Sequence, residues 1–216
     1  MVQKTRRPSQ RPIEARIEPK RRGRPRAYEP NVALGKALEL FRKDGFAATS
    51  LDDLSAATGM NRPSLYGAFG DKRELYIKSY QRYRDDARAA MGEIFREQMP
   101  IRKRLERIYR VALDIYFAGE SGPTGCFTVM TAGSEAIADP DVRAMVLDAL
   151  SELDKAFGRC FSRAKANGEL AEGADPLVLG QLASATLHTI AIRSRAGVPR
   201  KELEALVNGA LDVMVG

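Results

Sequence analysis

Apolar residues recur every three or four positions along most of the chain, and no useful stretch alternates apolar with polar residues. This spacing places the apolar side chains on one face of a helix. The pattern therefore predicts an all-α protein, in which glycine, proline and capping residues separate the helices. The predicted helices span about 30–44, 50–58, 62–69, 71–98, 101–118, 124–138, 141–167, 175–196 and 199–214.

Two short helices near the start carry strong local signals. Ser50 and Asp53 form a capping box at the start of the first, and Gly59 supplies a turn conformation that other residues resist. Asn61 caps the second, in which Pro63 is tolerated in the first turn. Two short helices joined by a glycine-containing turn make a helix-turn-helix, a unit that binds DNA.

The second helix of this unit would contact the bases. Its outward positions hold Arg62, Ser64 and Tyr66. An arginine there can pair with guanine edges or with phosphate, and a serine can bond to either. The sequence therefore predicts recognition of double-stranded DNA.

The stretch from Ala37 to Tyr76 resembles the N-terminal domain of the TetR family of bacterial regulators. The matching positions are Phe41, Gly45, Phe46, Thr49, Ser50, Gly59, Leu65, Tyr66, Phe69, Lys72 and Leu75. The later helices match that family only in number and length, as expected of its variable part. The resemblance implies a three-helix DNA-binding domain at 28–75, followed by a helical effector-binding and dimerisation domain at 76–216.

The resemblance also implies DNA contacts, residue by residue. The base-facing positions of the recognition helix hold Arg62, Pro63, Ser64 and Gly67. Phosphate contacts are expected from Tyr66 and Lys72, and backbone contacts at the start of the preceding helix from Thr49 and Ser50. Tyr66 is alternatively a packing tyrosine, and Lys72 a surface lysine. Gly67 and Ala68 depart from the family, which usually carries larger residues there, so fewer base contacts are expected from that end.

The net charge of +7 is concentrated at the N-terminus. Residues 1–30 carry ten Lys/Arg and three Asp/Glu, and the remaining residues carry equal numbers of each sign. Such a distribution indicates a polyanion partner, with the basic segment as an electrostatic arm. A membrane surface is the competing polyanion, but the arm has no apolar face to insert. A merely solubilising tail is the other interpretation.

Residues 1–27 are expected to be disordered when free, because they combine prolines and charges with few large apolar groups. Within them, the run Arg21–Arg26 resembles an AT-hook. Glycine and proline let an extended backbone lie in a narrow minor groove, whose negative potential attracts arginine. The predicted groove contacts are Arg22, Arg24 and Arg26.

The family usually places an effector cavity among the later helices, and a cavity needs mostly apolar walls with a few polar groups. The candidate wall residues are Tyr109, Tyr116, Phe117, Cys126, Phe127, Met130 and His188. Core packing is the alternative for the aromatic residues, and a hydrogen-bonded core histidine is the alternative for His188.

Cys126 lies at a predicted helix N-terminus, where free N–H groups and the helix dipole stabilise a thiolate. A cysteine there resembles a subset of the family that senses electrophiles or oxidants, and strain there would move the fourth helix and spread the recognition helices. A small buried apolar role is the alternative. Cys160 is interpreted as a packing residue.

Two apolar stripes near the C-terminus predict a homodimer interface of four helices. One consists of Leu203, Leu206, Val207, Ala210, Leu211 and Met214, and the other of Gly180, Ala183, Ser184, Leu187 and Ala191. Core packing within one subunit is the alternative.

Enzymatic chemistry finds little support. The chain has one histidine, no nucleophile–histidine–acid set, no phosphate-binding glycine loop and no cysteine spacing typical of a metal site, so no cofactor or metal is expected. No apolar run is long enough for a membrane helix and no signal peptide is recognisable, so a cytoplasmic location is expected. We predict a repressor that binds a palindromic operator as a homodimer and is released by a small-molecule or electrophile effector. The alternative is an architectural protein that coats A·T-rich DNA and ignores ligands.

Overall fold

The computed structural model describes residues 29–119 and 122–216. Over these residues it is built of helices and contains no strand, which confirms the predicted all-α fold. The helices are α1 (Pro30–Ala48), α2 (Leu51–Thr58), α3 (Arg62–Phe69), α4 (Lys72–Arg96), α5 (Ile101–Phe117), α6 (Phe127–Gly133), α7 (Glu135–Ala138), α8 (Pro140–Ala166), α9 (Pro176–Arg195) and α10 (Arg200–Val215). The predicted arm, with Arg22, Arg24 and Arg26, lies outside the described residues.

The ends of α2 and α3 follow from local hydrogen bonds. The Ser50 hydroxyl accepts from the Asp53 backbone N–H at 3.1 Å, while the Asp53 carboxylate accepts from the Ser50 N–H at 2.8 Å. The Asn61 side chain accepts from the Ser64 N–H at 2.9 Å. Gly59 adopts φ 71°, a left-handed conformation that costs a residue with a Cβ more than it costs glycine. The turn between the two helices is thus determined by residues 50–61.

The hydrophobic core continues from α1, α2 and α3 into the rest of the molecule. Phe127 of α6 is fully buried, and its ring meets those of Tyr76, Tyr80 and Tyr83 on α4 edge to face, with centroids 5.3–5.8 Å apart. A second cluster joins α5, α8, α9 and α10. Helix α4 continues without a break past residue 75, where the sequence predicted the boundary between the two domains, so it belongs to both.

The predicted helix at 124–138 is two helices preceded by an extended segment. Residues 122–126 lie across the end of α5, where the N–H groups of Thr124 and Gly125 donate to the Tyr116 carbonyl at 2.9 and 3.3 Å. Ser134 has non-helical backbone angles and separates α6 from α7. Tertiary hydrogen bonds therefore replace the first helical turn that the sequence pattern favours.

The prediction that the two C-terminal stripes form the subunit interface is wrong. Leu203, Val207, Leu211 and Met214 are buried in the core of a single chain. The small residues of α9 let it approach α8, because a Cβ added at Gly180 would lie 2.7 Å from the Gly158 nitrogen. Both stripes hold one subunit together. Among the described residues, no helix is long and apolar enough to span a membrane.

Candidate DNA interface and effector cavity

The recognition helix α3 has one buried face and one exposed face. Leu65 and Phe69 pack into the core. The predicted base-facing residues lie on the other side: Arg62, Pro63 and Gly67 are exposed, and Ser64 is half-buried. Tyr66 is 46% exposed, which argues against the packing interpretation and leaves its hydroxyl free to reach a phosphate.

Arg62 is oriented by an acidic partner on α2. The Asp52 carboxylate accepts from Nε at 3.1 Å and from Nη2 at 2.7 Å. Within the described part of the chain, Nη1 donates to no protein acceptor, so the outer edge of the guanidinium points away from its partner. Two parallel N–H donors on that edge match the O6 and N7 acceptors of guanine. Asp52 was not among the residues predicted to take part in DNA binding, although the sequence places it in the first turn of α2.

The predicted phosphate-contacting residues differ in their exposure. Ser50 is exposed, and the Lys72 ammonium lies 4.3 Å from the centre of the Phe46 ring. Thr49 is only 1% exposed, and its hydroxyl donates to the Gly45 carbonyl at 2.6 Å. The Thr49 side chain therefore closes the end of α1 and does not face DNA, which corrects its expected role.

The start of α4 is fastened to the start of α8 beside this surface. The Arg73 guanidinium donates to Asp139 at 2.5 Å and 2.9 Å and to Asp141 at 2.7 Å. Hydrogen bonds from Arg73 lower the pKa of Asp139 to about 2. The position of the helix that follows α3 is thus linked to α8.

A cavity of about 450 Å³ lies between α4, α5, α8 and α9. It brings together three of the predicted wall residues, Tyr116, Cys126 and His188. Burial lowers the pKa of His188, against the opposing charge of Asp154, and this favours the uncharged imidazole. The size falls within the range of about 300–1,000 Å³ that is usual for small-molecule sites.

The other four predicted wall residues lie elsewhere. Tyr109 and Phe127 are fully buried in the two cores, and the Tyr109 hydroxyl donates to the Ala183 carbonyl at 3.0 Å. Phe117 packs against the second core without lining the cavity. Met130 lines a separate depression beside Phe46 and α9. Periodicity marked these residues as inward-facing, but could not say whether they faced core or cavity.

Two arginines, the buried Arg42 and the exposed Arg195, connect the cavity wall to α1. Arg42 of α1 donates from Nη2 to the Ile115 carbonyl at 2.9 Å and to the Thr124 hydroxyl at 2.6 Å. Arg195 of α9 donates to the carbonyls of Arg42 and Thr124 at 2.8 and 3.1 Å, and to that of Lys43 at 2.8 Å. We call Arg42, Arg195 and residues 122–126 the junction. It joins the segment ending at Cys126 to the DNA-binding helices.

Neither arginine of the junction was predicted from the sequence to be functional. Arg42 lies four residues after Leu38, on the apolar face of α1, and is only 5% exposed. An arginine on the predicted core face could have indicated this role, because a charged side chain is buried only when it is hydrogen-bonded.

Comparison with known proteins places this geometry in context. Residues 33–78 match the family model described as bacterial regulatory proteins, tetR family. The repressor ComR of Escherichia coli K12 is 27% identical over 193 residues, which cover 89% of this chain and 91% of ComR. The repressor BdcR of the same strain is 32% identical over 107 residues, covering 50% of this chain and 54% of BdcR.

A solved structure shares the fold over most of its length. It is a cysteine mutant of the TetR family transcriptional regulator CifR, complexed with 26-bp double-strand operator DNA. Its TM-score is 0.77 at 27% identity, with 88% of this chain and 98% of that chain covered. These relatives are regulators of transcription, and the last of them is bound to its operator.

Proposed function

Because this chain belongs to the TetR family of bacterial transcription regulators, we propose that it is a ligand-responsive repressor that binds a palindromic operator as a homodimer. The chain is a DNA-binding regulator and not an enzyme. We propose in addition that it represses transcription, forms a homodimer and responds to an effector. A cytoplasmic location follows from the same proposal, since bacterial operator DNA lies there.

The exposed recognition helix with its oriented Arg62 is the observation that carries the proposal. An arginine held by a carboxylate has fewer rotamers to lose when it docks on a guanine. In a dimer, two such helices would enter successive major grooves about 34–36 Å apart. This predicts a footprint with sharp edges and dyad symmetry, whereas an architectural protein would coat DNA without a defined site.

An exposed apolar face on α8 and α9 supports the dimer. Val178, Leu182 and Ile192 of α9 are 47–57% exposed, and Leu147 of α8 is 59% exposed. The α9 residues recur at spacings that place them on one face of a helix. Two copies of α8 and α9 would bury this face in a four-helix bundle, which replaces the interface predicted from the stripes of α9 and α10.

The dimer is tested by charge insertion. Leu182→Glu would bury a carboxylate in the interface and should shift the protein from dimer to monomer in light scattering. Val213→Glu is the matched control, because Val213 is 83% exposed on α10, away from this face. A folded Leu182→Glu protein that stays dimeric would place the interface elsewhere.

The junction supports an effector response. Cys126 lines the cavity, and the segment before it binds Arg42 of α1. Phe127, the next residue, packs under the tyrosines of α4. A ligand that displaces this wall would therefore move α1 and α4 together, and it releases DNA only by binding the displaced form more tightly. Reaction at the Cys126 thiol is the alternative trigger.

DNA recognition is tested by footprinting the wild type on genomic DNA and measuring the recovered site by gel shift. Arg62→Ala should weaken specific binding by roughly 10- to 100-fold. Arg110→Ala is the control, because Arg110 is an exposed arginine on α5. Equal affinities for wild type and Arg62→Ala would refute the assignment of α3 as the reading helix.

A further inference from the structure

We propose that the ligand of the cavity is an organic anion with an apolar body, whose acidic group binds between Arg96 and Arg159. This inference rests on the proposed function, since it names the class of effector. It depends on how charge and apolar surface are distributed around the cavity.

The inner wall of the cavity is apolar. Side chains from all four surrounding helices contribute to it, and they are Met91, Phe95, Ile115, Leu153 and Leu187. The Phe95 ring is fixed in place by an edge-to-face contact with Phe157, with centroids 5.2 Å apart. An apolar ligand body would gain binding energy here by leaving water.

The charged groups at one end of the cavity are already paired. Arg84 donates to Asp148 at 2.8 Å and to Glu152 at 3.0 Å. Arg88 donates to Glu152 at 2.6 Å and to Asp85 at 3.0 Å. Glu152 is the single carboxylate in the described lining of the cavity, and two arginines occupy it. A cationic ligand would therefore find no free carboxylate at this end.

The other end of the cavity carries two arginines without acidic partners. Arg96 and Arg159 both line it, and within the described residues no carboxylate oxygen lies within 4.0 Å of either guanidinium. Arg96 and Arg159 follow residues of α4 and α8 that contact each other, since Phe95 packs on Phe157 and the Phe95 carbonyl accepts from Arg163, and both arginines are exposed. Two unpaired guanidinium groups beside an apolar wall favour a carboxylate or a sulfonate.

The remaining polar groups do not oppose an anion. Burial lowers the pKa of His188, so its imidazole favours the uncharged form, which can still form a hydrogen bond. Tyr116 and Thr128 add hydroxyl groups to the wall. The cavity thus combines a neutral polar side, an apolar wall and a cationic end.

The test compares three probes of equal chain length: decanoate, 1-decanol and decylamine. Each is titrated below its aggregation limit against displacement of 8-anilinonaphthalene-1-sulfonate fluorescence, and direct binding is checked by calorimetry. Decanoate should bind about 10-fold or more tighter than decanol, and decylamine weakest, because charge-assisted bonds are made only to the anion.

The variant Arg96→Gln/Arg159→Gln should lose the preference for decanoate while keeping its affinity for decanol. Arg110→Gln is the matched control, as an exposed arginine on α5 outside the cavity. Thermal unfolding checks that each variant is folded. Equal affinity for decanoate and decanol in the wild type, or an unchanged preference in the double variant, would overturn the inference.

Operator binding is measured separately, so that the two proposals fail in different ways. If decanoate binds as expected but leaves the operator complex intact, the ligand class stands and the effector role of the cavity is lost. If another compound releases the operator and the wild type shows no preference for decanoate, the effector role stands and the ligand class is wrong.

Discussion

Replacing Arg195 with methionine should weaken the response of DNA binding to a cavity ligand more than it weakens DNA binding itself. Arg195 donates three hydrogen bonds to backbone carbonyls, two of them on α1 and one on the segment that ends at the cavity. Methionine keeps a long apolar stem and removes these donors.

The expected loss of stability can be worked from those contacts. Two of the three bonds are partly buried and the third is exposed. At about 1 kcal/mol for each partly buried bond and little for the exposed one, the free energy of unfolding should fall by about 2 kcal/mol. For a chain of this length, that corresponds to a fall in Tm of about 4–8 °C.

The coupling should change separately from stability. Allosteric coupling is typically about 5- to 150-fold in affinity. Without Arg195, the side-chain hydrogen bonds that remain between α1 and residues 122–126 in the described part of the chain are those of Arg42. The fold-change in operator affinity caused by saturating decanoate should therefore shrink by about half or more on a logarithmic scale. Gel shift with the footprinted operator, with and without decanoate, measures it.

Arg193→Met is the matched control for this experiment. Arg193 lies two residues before Arg195 on α9 and is exposed, without a side-chain hydrogen bond in the described residues. It should leave both Tm and coupling unchanged. If Arg195→Met lowers the Tm as expected but keeps the full response, the junction is a structural clamp and the signal travels by another route.

Three further predictions concern the DNA surface, the thiols and the arm. Asp52→Ala should reduce discrimination between operator and random DNA by roughly 3- to 10-fold, because Arg62 loses its orienting partner. It should also tighten non-specific binding, because a negative charge disappears. Competition gel shifts that show equal tightening on both DNAs would refute this prediction. Cys126 should react with a thiol reagent at neutral pH faster than Cys160, since burial raises the pKa of the Cys160 thiol, and mass spectrometry that finds Cys160 modified first would contradict it. Deleting residues 1–26 should flatten the dependence of log affinity on log salt, and an unchanged slope would exclude the electrostatic arm.

The DNA-binding unit was predictable because its signals are local. A capping box needs only residues 50 and 53, and the turn needs only a glycine at 59. The same kind of signal failed at 124–138, because Thr124 and Gly125 are held by Arg42 and by the end of α5. Hydrogen bonds between residues far apart in sequence are invisible to a pattern read along the chain.

The later helices show the same limit for burial. Tyr109 and Tyr116 are seven residues apart on the inward face of α5, yet Tyr109 meets Phe157 in the core and Tyr116 lines the cavity. Periodicity indicates that one face of a helix is buried, but it does not show whether a core, a cavity or a second subunit lies against that face. The stripe at 180–191 was assigned to a second subunit for this reason, whereas Gly180 packs on Gly158 of the same chain.

Helix α4 connects the cavity to the recognition helix, and it could therefore transmit the effect of a ligand. Its 25 residues begin directly after the recognition helix, pass over Phe127, and end with Met91 and Phe95 in the cavity wall. At about 1.5 Å per residue the helix is about 37 Å long, so a tilt of about 5° at the cavity end moves the other end by about 3 Å. This end of α4 would move relative to α8, which carries part of the proposed dimer face, and the bonds from Arg73 to Asp139 and Asp141 would have to break or shift. A ligand that tilts α4 would therefore change the separation of the two recognition helices, and a palindromic operator tolerates only one separation.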